Sequence, residues 1–199
     1  MVHEEIELKL LLEDQWSYAQ LRAWLDSFDS LVVAQQNNCY LDTPQRTLQM
    51  RRVMARLRLI DERAILTVKR RKSLQDGLMT AEEWQVELPL GHSARQLPNA
   101  GALVGSLPEE VAAPLRASGL DSQSRLHVFG AMQTNRRIYT LAPADWPGID
   151  TDVCVELDWT LFDGQVERFE LEIEHRLAGQ MAPAIQAQLD TLAVAWRPA

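Results

Sequence analysis

The sequence predicts an α+β fold in which helices cover the apolar face of a long β-sheet. Several segments alternate apolar and charged residues with a period of two, which is typical of strands that bury one face. Two other segments, 15–29 and 179–194, carry apolar residues at helical spacing. Such alternation is common in antiparallel sheets, and turn-forming residues between the strands favour hairpin connections.

The composition is that of a folded, acidic protein. The chain has 199 residues, enough for one domain or a compact pair, and 46% of them are hydrophobic. A net charge of −8 argues against nucleic-acid or membrane partners, which attach to basic surfaces. No apolar run approaches transmembrane length, no signal peptide is visible, and Cys39 and Cys154 fit no zinc spacing. We therefore expect a cytoplasmic protein with two reduced thiols.

The first half of the chain predicts five strands and one helix. The helix over 15–29 begins after the N-cap Asp14 and buries Leu21 and Leu25. A hairpin turn is expected at 61–63, and 72–79 is interpreted as a mobile loop. The predicted strands cover 4–10, 31–41, 54–60, 64–71 and 82–88.

The second half predicts a helical crossover followed by further strands. Residues 91–123 are rich in small residues and proline, with a helix from Pro108 to Gly119. Asp163-Gly164 is a strong two-residue hairpin signal, and the chain returns to a helix over 179–194. The predicted strands cover 125–141, 152–162 and 167–174.

Several strands carry charges of one dominant sign on their polar face. Acids dominate 4–10, 82–88, 152–159 and 168–174, and bases dominate 56–58, 67–71 and 136–137. If the sheet closes into a barrel with helices outside, these charges line a wet interior; an open sheet would instead place them in solvent with salt bridges. In the closed form the carboxylates need cations such as Mg²⁺ or Mn²⁺, and the bases suit a polyanion. Spacing alone leaves both forms open.

Several short motifs follow one another along the chain. The first is Glu5-Ile6-Glu7-Leu8-Lys9, and the later ones are Tyr40-Leu41-Asp42-Thr43, Arg56-Leu57-Arg58, Thr67-Val68-Lys69, Glu156-Leu157-Asp158 and Glu170-Leu171-Glu172-Ile173-Glu174. Their order resembles that of the CYTH family, also called triphosphate tunnel metalloenzymes, and the first motif is similar to the family's ExExK signature. The chain looks most similar to the bacterial inorganic triphosphatase branch.

The resemblance implies a single CYTH domain over 1–199, built as an eight-stranded closed antiparallel barrel, or tunnel, with helices packed outside. It implies hydrolysis of inorganic triphosphate with Mg²⁺ or Mn²⁺, and Glu5, Glu7 and Lys69 as catalytic residues. The triphosphate would be bound by Lys9, Arg56, Arg58, Lys69 and Arg136, to which strand parity adds Arg71. The metal would be bound by Glu5, Glu7, Asp158, Glu170, Glu172 and Glu174.

Some positions depart from the family pattern. Ala81 replaces a frequent arginine, Cys154 a frequent acid, and Ile138 a second base, and we expect these changes to bear on substrate preference. Relatives continue past a segment like Trp196-Arg197-Pro198, so we expect a longer protein with a following CHAD domain. The alternative functions are hydrolysis of thiamine triphosphate or of a nucleoside triphosphate on the same fold, and a non-catalytic polyphosphate-binding module.

Overall fold

The computed structural model describes residues 3–28, 30–60, 62–89, 101–143, 145–162 and 165–199. Its helices are α1 (Gln15–Leu25), α2 (Thr47–Met50), α3 (Glu109–Ala117) and α4 (Ala178–Thr191), with a 3₁₀ turn at Val104–Ser106. The long strands are β1 (His3–Leu12), β2 (Leu31–Asp42), β3 (Val53–Ile60), β4 (Arg63–Gln75), β5 (Leu78–Leu88), β7 (Arg125–Leu141), β8 (Val153–Phe162) and β9 (Val166–Glu174). Two short strands are β6 (Ala102–Leu103) and β10 (Trp196–Pro198).

The eight long strands form one sheet in the order β1-β5-β4-β3-β2-β7-β8-β9, and β9 pairs again with β1. The sheet therefore closes on itself, so that within the described residues each of the eight long strands has a neighbouring strand on both sides. The pairs β1–β9, β2–β3, β3–β4 and β8–β9 are antiparallel. This confirms the predicted closed antiparallel barrel with helices outside and excludes the open-sheet alternative. No helix among the described residues is long and apolar enough to cross a membrane.

The chain divides into two compact units, each with its own apolar core. The first unit contains the described residues of 1–4, 36–72 and 81–133. Its core joins Leu57 of β3 and Leu66 of β4 with Val111 and Leu115 of α3, all of them fully buried. The helix thus covers the apolar face of these strands, as the alternating pattern predicts.

The second unit contains 5–35, 73–80 and 134–199, apart from residues outside the described ranges. Its core packs Leu21 of α1 and Ile185 of α4 against Leu8, Leu171 and Ile173 of β1 and β9. Because side chains alternate along a strand, this packing leaves most charged residues of β1 and β9 on the opposite face of the sheet, namely Glu5, Glu7, Lys9, Arg168, Glu170, Glu172 and Glu174.

Several predicted boundaries are wrong. Helix α1 keeps its predicted cap, since the Asp14 carboxylate accepts from Ser17 N at 2.7 Å, but it ends at Leu25 and not at 29. Helix α3 ends at Ala117, before Gly119, and α4 ends at Thr191 and not at 194.

The predicted loop over 72–79 is also wrong. Strand β4 continues to Gln75 and β5 starts at Leu78, so only Asp76 and Gly77 form the turn, with φ of 51° and 81°. The predicted hairpin turn Asp163-Gly164 and residues 90–100 of the predicted crossover lie outside the described residues. The strands that flank that hairpin do pair, with Phe162 opposite Val166.

Candidate active site

The strand register brings the acidic residues of the second unit together. Strand β9 lies between β1 and β8, with Glu172 opposite both Lys9 and Glu156. Two residues earlier, Glu170 lies opposite Asp158. All of these side chains share one face of the sheet because they have the same parity along their strands.

Three of these carboxylates form a compact, buried group. One oxygen each from Asp158, Glu170 and Glu172 lies within 4.8 Å of the others, and the residues are only 3%, 9% and 9% exposed. On β1, Glu5 and Glu7 are buried on the same parity as Lys9, whereas Glu174 is exposed opposite Glu7. The second unit therefore concentrates carboxylate oxygens at one place.

Arg136 of β7 binds this group through four hydrogen bonds. Its Nε and Nη2 donate to Asp158 at 2.8 and 2.6 Å. Nη2 also donates to Glu172 at 2.6 Å, and Nη1 donates to Glu156. A guanidinium has five N–H donors. Among the described residues these four bonds use four of them, and one N–H is left for a further acceptor. Arg136 thus holds the carboxylates of two strands in fixed positions.

Lys9 supplies the second positive charge. Its ammonium forms an ion pair with Glu172 and lies 3.8 Å from Glu7 Oε1 and 3.9 Å from Glu170 Oε1. The Lys9 side chain is 29% exposed, so it enters the group from a more open side than Arg136 does.

The carboxylates outweigh these two bases. Burial raises the pKa of Asp158 and of Glu170 above their ordinary values, and the charge of Glu172 adds to both rises. Burial by itself would lower the pKa of Lys9, but the charges of Glu172, Glu170 and Glu7 raise it above its ordinary value. In the same way, the neighbouring carboxylates outweigh the effect of burial and raise the pKa of Arg136 above its ordinary value. Both bases stay protonated, and the excess of negative charge favours binding of a further cation.

The donor set fits a hard divalent cation. Mg²⁺ and Mn²⁺ prefer oxygen ligands, and Asp158, Glu170 and Glu172 offer several carboxylate oxygens within 4.8 Å. Neither Cys39 nor Cys154 takes part in a disulfide.

The first unit presents a row of basic residues on the neighbouring strands β3 and β4. Arg56 of β3 lies opposite Tyr40 of β2 and Thr67 of β4. Among the described residues, Arg56 Nε and Thr67 Oγ1 are buried without a hydrogen-bond partner. Both are donors, so this pair suits an incoming anion such as a phosphate oxygen.

Two further predicted bases of this unit have protein partners. Arg58 Nε donates to Asn38 Oδ1 at 3.0 Å, and Lys69 Nζ lies 3.7 Å from Glu83 Oε2. Both bases are half-buried, whereas Arg71 is exposed. The structure thus places Arg56, Arg58 and Lys69 on the two adjacent strands β3 and β4, as the motif spacing predicts.

A comparison with protein families matches the CYTH domain over residues 3–191. The chain belongs to the CYTH family. The predicted resemblance is confirmed, and it covers nearly the whole chain.

This CYTH domain shares its fold with solved structures of low sequence identity. HpAC1 from Hippeastrum, a candidate adenylyl cyclase described as having a dominant triphosphatase activity, has a TM-score of 0.82 and 21% identity over 98% of this chain and 90% of that chain. A candidate adenylate cyclase from Bacillus halodurans has a TM-score of 0.68 and 20% identity over 98% and 94%. PH1819 from Pyrococcus horikoshii has a TM-score of 0.58 and 16% identity over 98% and 94%. A search of curated proteins found no significant match.

The departures from the family pattern have different surroundings in this CYTH domain. Ala81 is fully buried, Ile138 is half-buried, and Cys154 is exposed on the parity of Glu156. The sequence-based assignment of site residues leaves out Glu156, whose carboxylate pairs with Arg136 beside the carboxylate group. The sequence offers one signal for it: Glu156 stands two residues before Asp158, so both side chains lie on the same face of β8.

Proposed function

We propose that this CYTH domain is a divalent-metal-dependent hydrolase that removes the terminal phosphate of inorganic triphosphate. The observation that carries the proposal is the buried group of Asp158, Glu170 and Glu172, bound by Arg136 and Lys9. The dominant triphosphatase activity described for HpAC1 supports the same reaction class.

In this proposal the carboxylates hold the cation. Glu5, Glu7, Asp158, Glu170, Glu172 and Glu174 would supply the oxygen ligands for Mg²⁺ or Mn²⁺. When bound, such a cation neutralises phosphate charge and lowers the pKa of a coordinated water. Glu5 and Glu7 also count as proposed catalytic residues because their buried carboxylates lie on the same strand face as Lys9.

The bases would bind the substrate. Arg56 and Thr67 offer buried donors, and a guanidinium presents a fork that matches phosphate oxygens. Lys69, the third proposed catalytic residue, would stabilise charge on the terminal phosphate. The other proposed contacts are Lys9, Arg58, Arg71 and Arg136.

The proposed reaction transfers a phosphoryl group to water. A water oxygen forms a bond to the terminal phosphorus while the bridging P–O bond breaks, so triphosphate and water yield orthophosphate and diphosphate. Positioning and charge stabilisation do most of the work in such transfers, and no covalent enzyme intermediate is needed. A cytoplasmic location and a single CYTH domain over 1–199 complete the proposal.

The test is release of phosphate from tripolyphosphate with Mg²⁺, Mn²⁺ or EDTA, with ATP and thiamine triphosphate measured in parallel. We expect metal-dependent release, fastest from tripolyphosphate, and a loss of at least 100-fold in kcat/KM when Glu170→Gln and Glu172→Gln are combined, equivalent to about 2.7 kcal/mol. Glu13→Gln, which changes an exposed carboxylate, is the matched control and should keep full activity.

Three results would each contradict part of the proposal. Undiminished hydrolysis in excess EDTA would exclude metal-dependent chemistry. Tight tripolyphosphate binding without phosphate release would identify a polyphosphate-binding module, and faster release from thiamine triphosphate or ATP would reassign the substrate.

A further inference from the structure

The two bases of the acidic group are held very differently. Arg136 is 8% exposed and makes four hydrogen bonds to Asp158, Glu172 and Glu156, two of which form a bidentate pair with Asp158. Lys9 makes one close ion pair, with Glu172, and its distances to Glu7 and Glu170 are 3.8 and 3.9 Å. A planar guanidinium bound by several carboxylates is difficult to move, whereas an ammonium on a flexible stem can leave.

Glu172 is the carboxylate that both bases share. Its Oε2 accepts from Arg136, and its Oε1 pairs with the Lys9 ammonium. Glu172 also belongs to the compact carboxylate group with Asp158 and Glu170. A cation that binds this group through Glu172 Oε1 therefore competes with Lys9 and leaves the contacts of Arg136 intact.

The position of the ammonium matches that of a cation. Nζ of Lys9 lies among three carboxylates that come from both strands of the β1–β9 pair, Glu7, Glu170 and Glu172. An ammonium can neutralise one charge there, whereas a divalent cation neutralises two and binds oxygen ligands at shorter distances.

We propose that the Lys9 ammonium is a resident counter-ion that a divalent cation displaces, while Arg136 remains as the positioning residue of the carboxylates. The inference rests on the proposed function and deepens it. Displacement frees the ammonium of Lys9 to contact a phosphate oxygen, so the cation and the triphosphate bind with positive coupling. Without the cation, Lys9 must break its ion pair with Glu172 before it can contact the substrate.

The test measures Mn²⁺ binding to metal-free protein by isothermal titration calorimetry, with no substrate present. Lys9→Met removes the competing charge, so we expect Mn²⁺ to bind at least about tenfold more tightly than to the wild type, equivalent to about 1.4 kcal/mol. Methionine adds only a soft thioether, which is a poor ligand for Mn²⁺, so a gain in affinity reports the loss of the charge.

Two variants control this measurement. Lys9→Arg keeps the charge and should bind Mn²⁺ no more tightly than the wild type. Lys72→Met also removes a lysine charge, but Lys72 pairs with Glu4 and Glu82 in the other unit, so Mn²⁺ affinity should not change. A thermal melt of each variant verifies the fold, and Lys9→Leu, which also adds no metal ligand, replaces Lys9→Met if the latter does not fold.

The results separate this inference from the proposed function. If the wild type binds Mn²⁺ and Lys9→Met binds it equally or more weakly, displacement is wrong and the metal site stands. If neither protein binds Mn²⁺ at millimolar concentration, the metal-dependent function and the displacement both fail. Tighter binding by Lys9→Met together with unchanged binding by Lys72→Met supports the displacement of Lys9.

Discussion

At the scale of single residues, Arg136 and Arg137 show how parity divides neighbouring charges. They follow each other on β7, so their side chains point to opposite faces of the sheet. Arg136 binds Asp158, Glu156 and Glu172, whereas Arg137 Nη2 donates to Asp26 at 2.7 Å beyond the end of α1. One arginine therefore serves the candidate site, and the other attaches a helix to the sheet.

Tyr139 completes the attachment on the second face. The side chain is fully buried, its hydroxyl donates to Asp26 Oδ1 at 2.7 Å, and it accepts from Arg137 Nε at 2.8 Å. Burial raises the pKa of Tyr139 to about 12, from an ordinary value of 10.0. The native state thus binds this proton more tightly than the unfolded chain does.

We predict that Tyr139→Phe lowers the free energy of unfolding at pH 8 by about 1 kcal/mol, the usual net value of one hydrogen bond. A raised native pKa means that the contribution is complete below pH 10.0 and is lost as the pH rises towards about 12. Urea unfolding of both proteins between pH 8 and 11.5 measures it. The difference should shrink above pH 10.0, and a constant difference would contradict the titration.

At the scale of elements, the β4–β5 hairpin is where the sequence-based prediction is most clearly wrong. Residues 72–79 contain Asp76-Gly77, a dipeptide that is typical of loops and of tight hairpins alike. The structure extends both strands to this turn, and Gly77 O accepts from Lys9 N at 2.8 Å. The local pattern therefore fits either a loop or a tight hairpin, and a contact with β1, which is far away in the sequence, stabilises the hairpin.

Position 77 requires both a positive φ and the absence of a side chain, and glycine is the residue that meets both requirements. Its φ of 81° lies in the left-handed region, and a side chain would place Cβ 2.6 Å from the Lys9 carbonyl oxygen. We predict that Gly77→Ala lowers the free energy of unfolding by about 1–3 kcal/mol, as measured by urea unfolding.

Gly130 provides the matched control for that measurement. It lies within β7, and apart from its own atoms and its chain neighbours no heavy atom of the described residues lies within 4 Å of the position that its Cβ would take. Gly130→Ala should change stability by less than about 0.5 kcal/mol or increase it slightly. Equal losses in the two variants would show that the turn geometry is not the cause.

At the scale of the whole molecule, the chain combines two separate apolar cores with a concentrated group of acids. The buried apolar side chains of each core all belong to one unit. The carboxylates of the second unit concentrate part of the chain's net charge of −8 in one place, which causes local repulsion. A protein of this kind is expected to give up some stability for a site that binds cations.

We predict that Mn²⁺ stabilises the folded protein by mass action. At a free concentration 100 times Kd the gain is about 2.7 kcal/mol, which raises Tm by about 5–10 °C for a chain of this length. Differential scanning calorimetry with Mn²⁺ and with EDTA measures the shift. The combined Glu170→Gln and Glu172→Gln variant should show less than a third of it, and an equal shift would place the binding of Mn²⁺ elsewhere.

The sequence by itself determined which side chains share a face. Period-two alternation predicted the strands and their charged residues, helical spacing predicted α1 and α4, and the motif order identified the family. These signals are local, since each depends on neighbours within one element. For the same reason short elements such as α2 were missed: α2 has four residues and is ordered by Asp42, whose carboxylate accepts from Leu48 N and Gln49 N.

Only the tertiary structure decided which strands are neighbours and which charges pair. Strand β1 lies between β5 and β9, and alternation along β1 contains no information on either partner. The engagement of Arg136 with Asp158, Glu156 and Glu172 depends on that order, as does the ion pair of Lys9 with Glu172. Strand order and register depend on the burial of apolar surface and the pairing of backbone groups across the whole sheet, so they depend on residues far apart in the sequence.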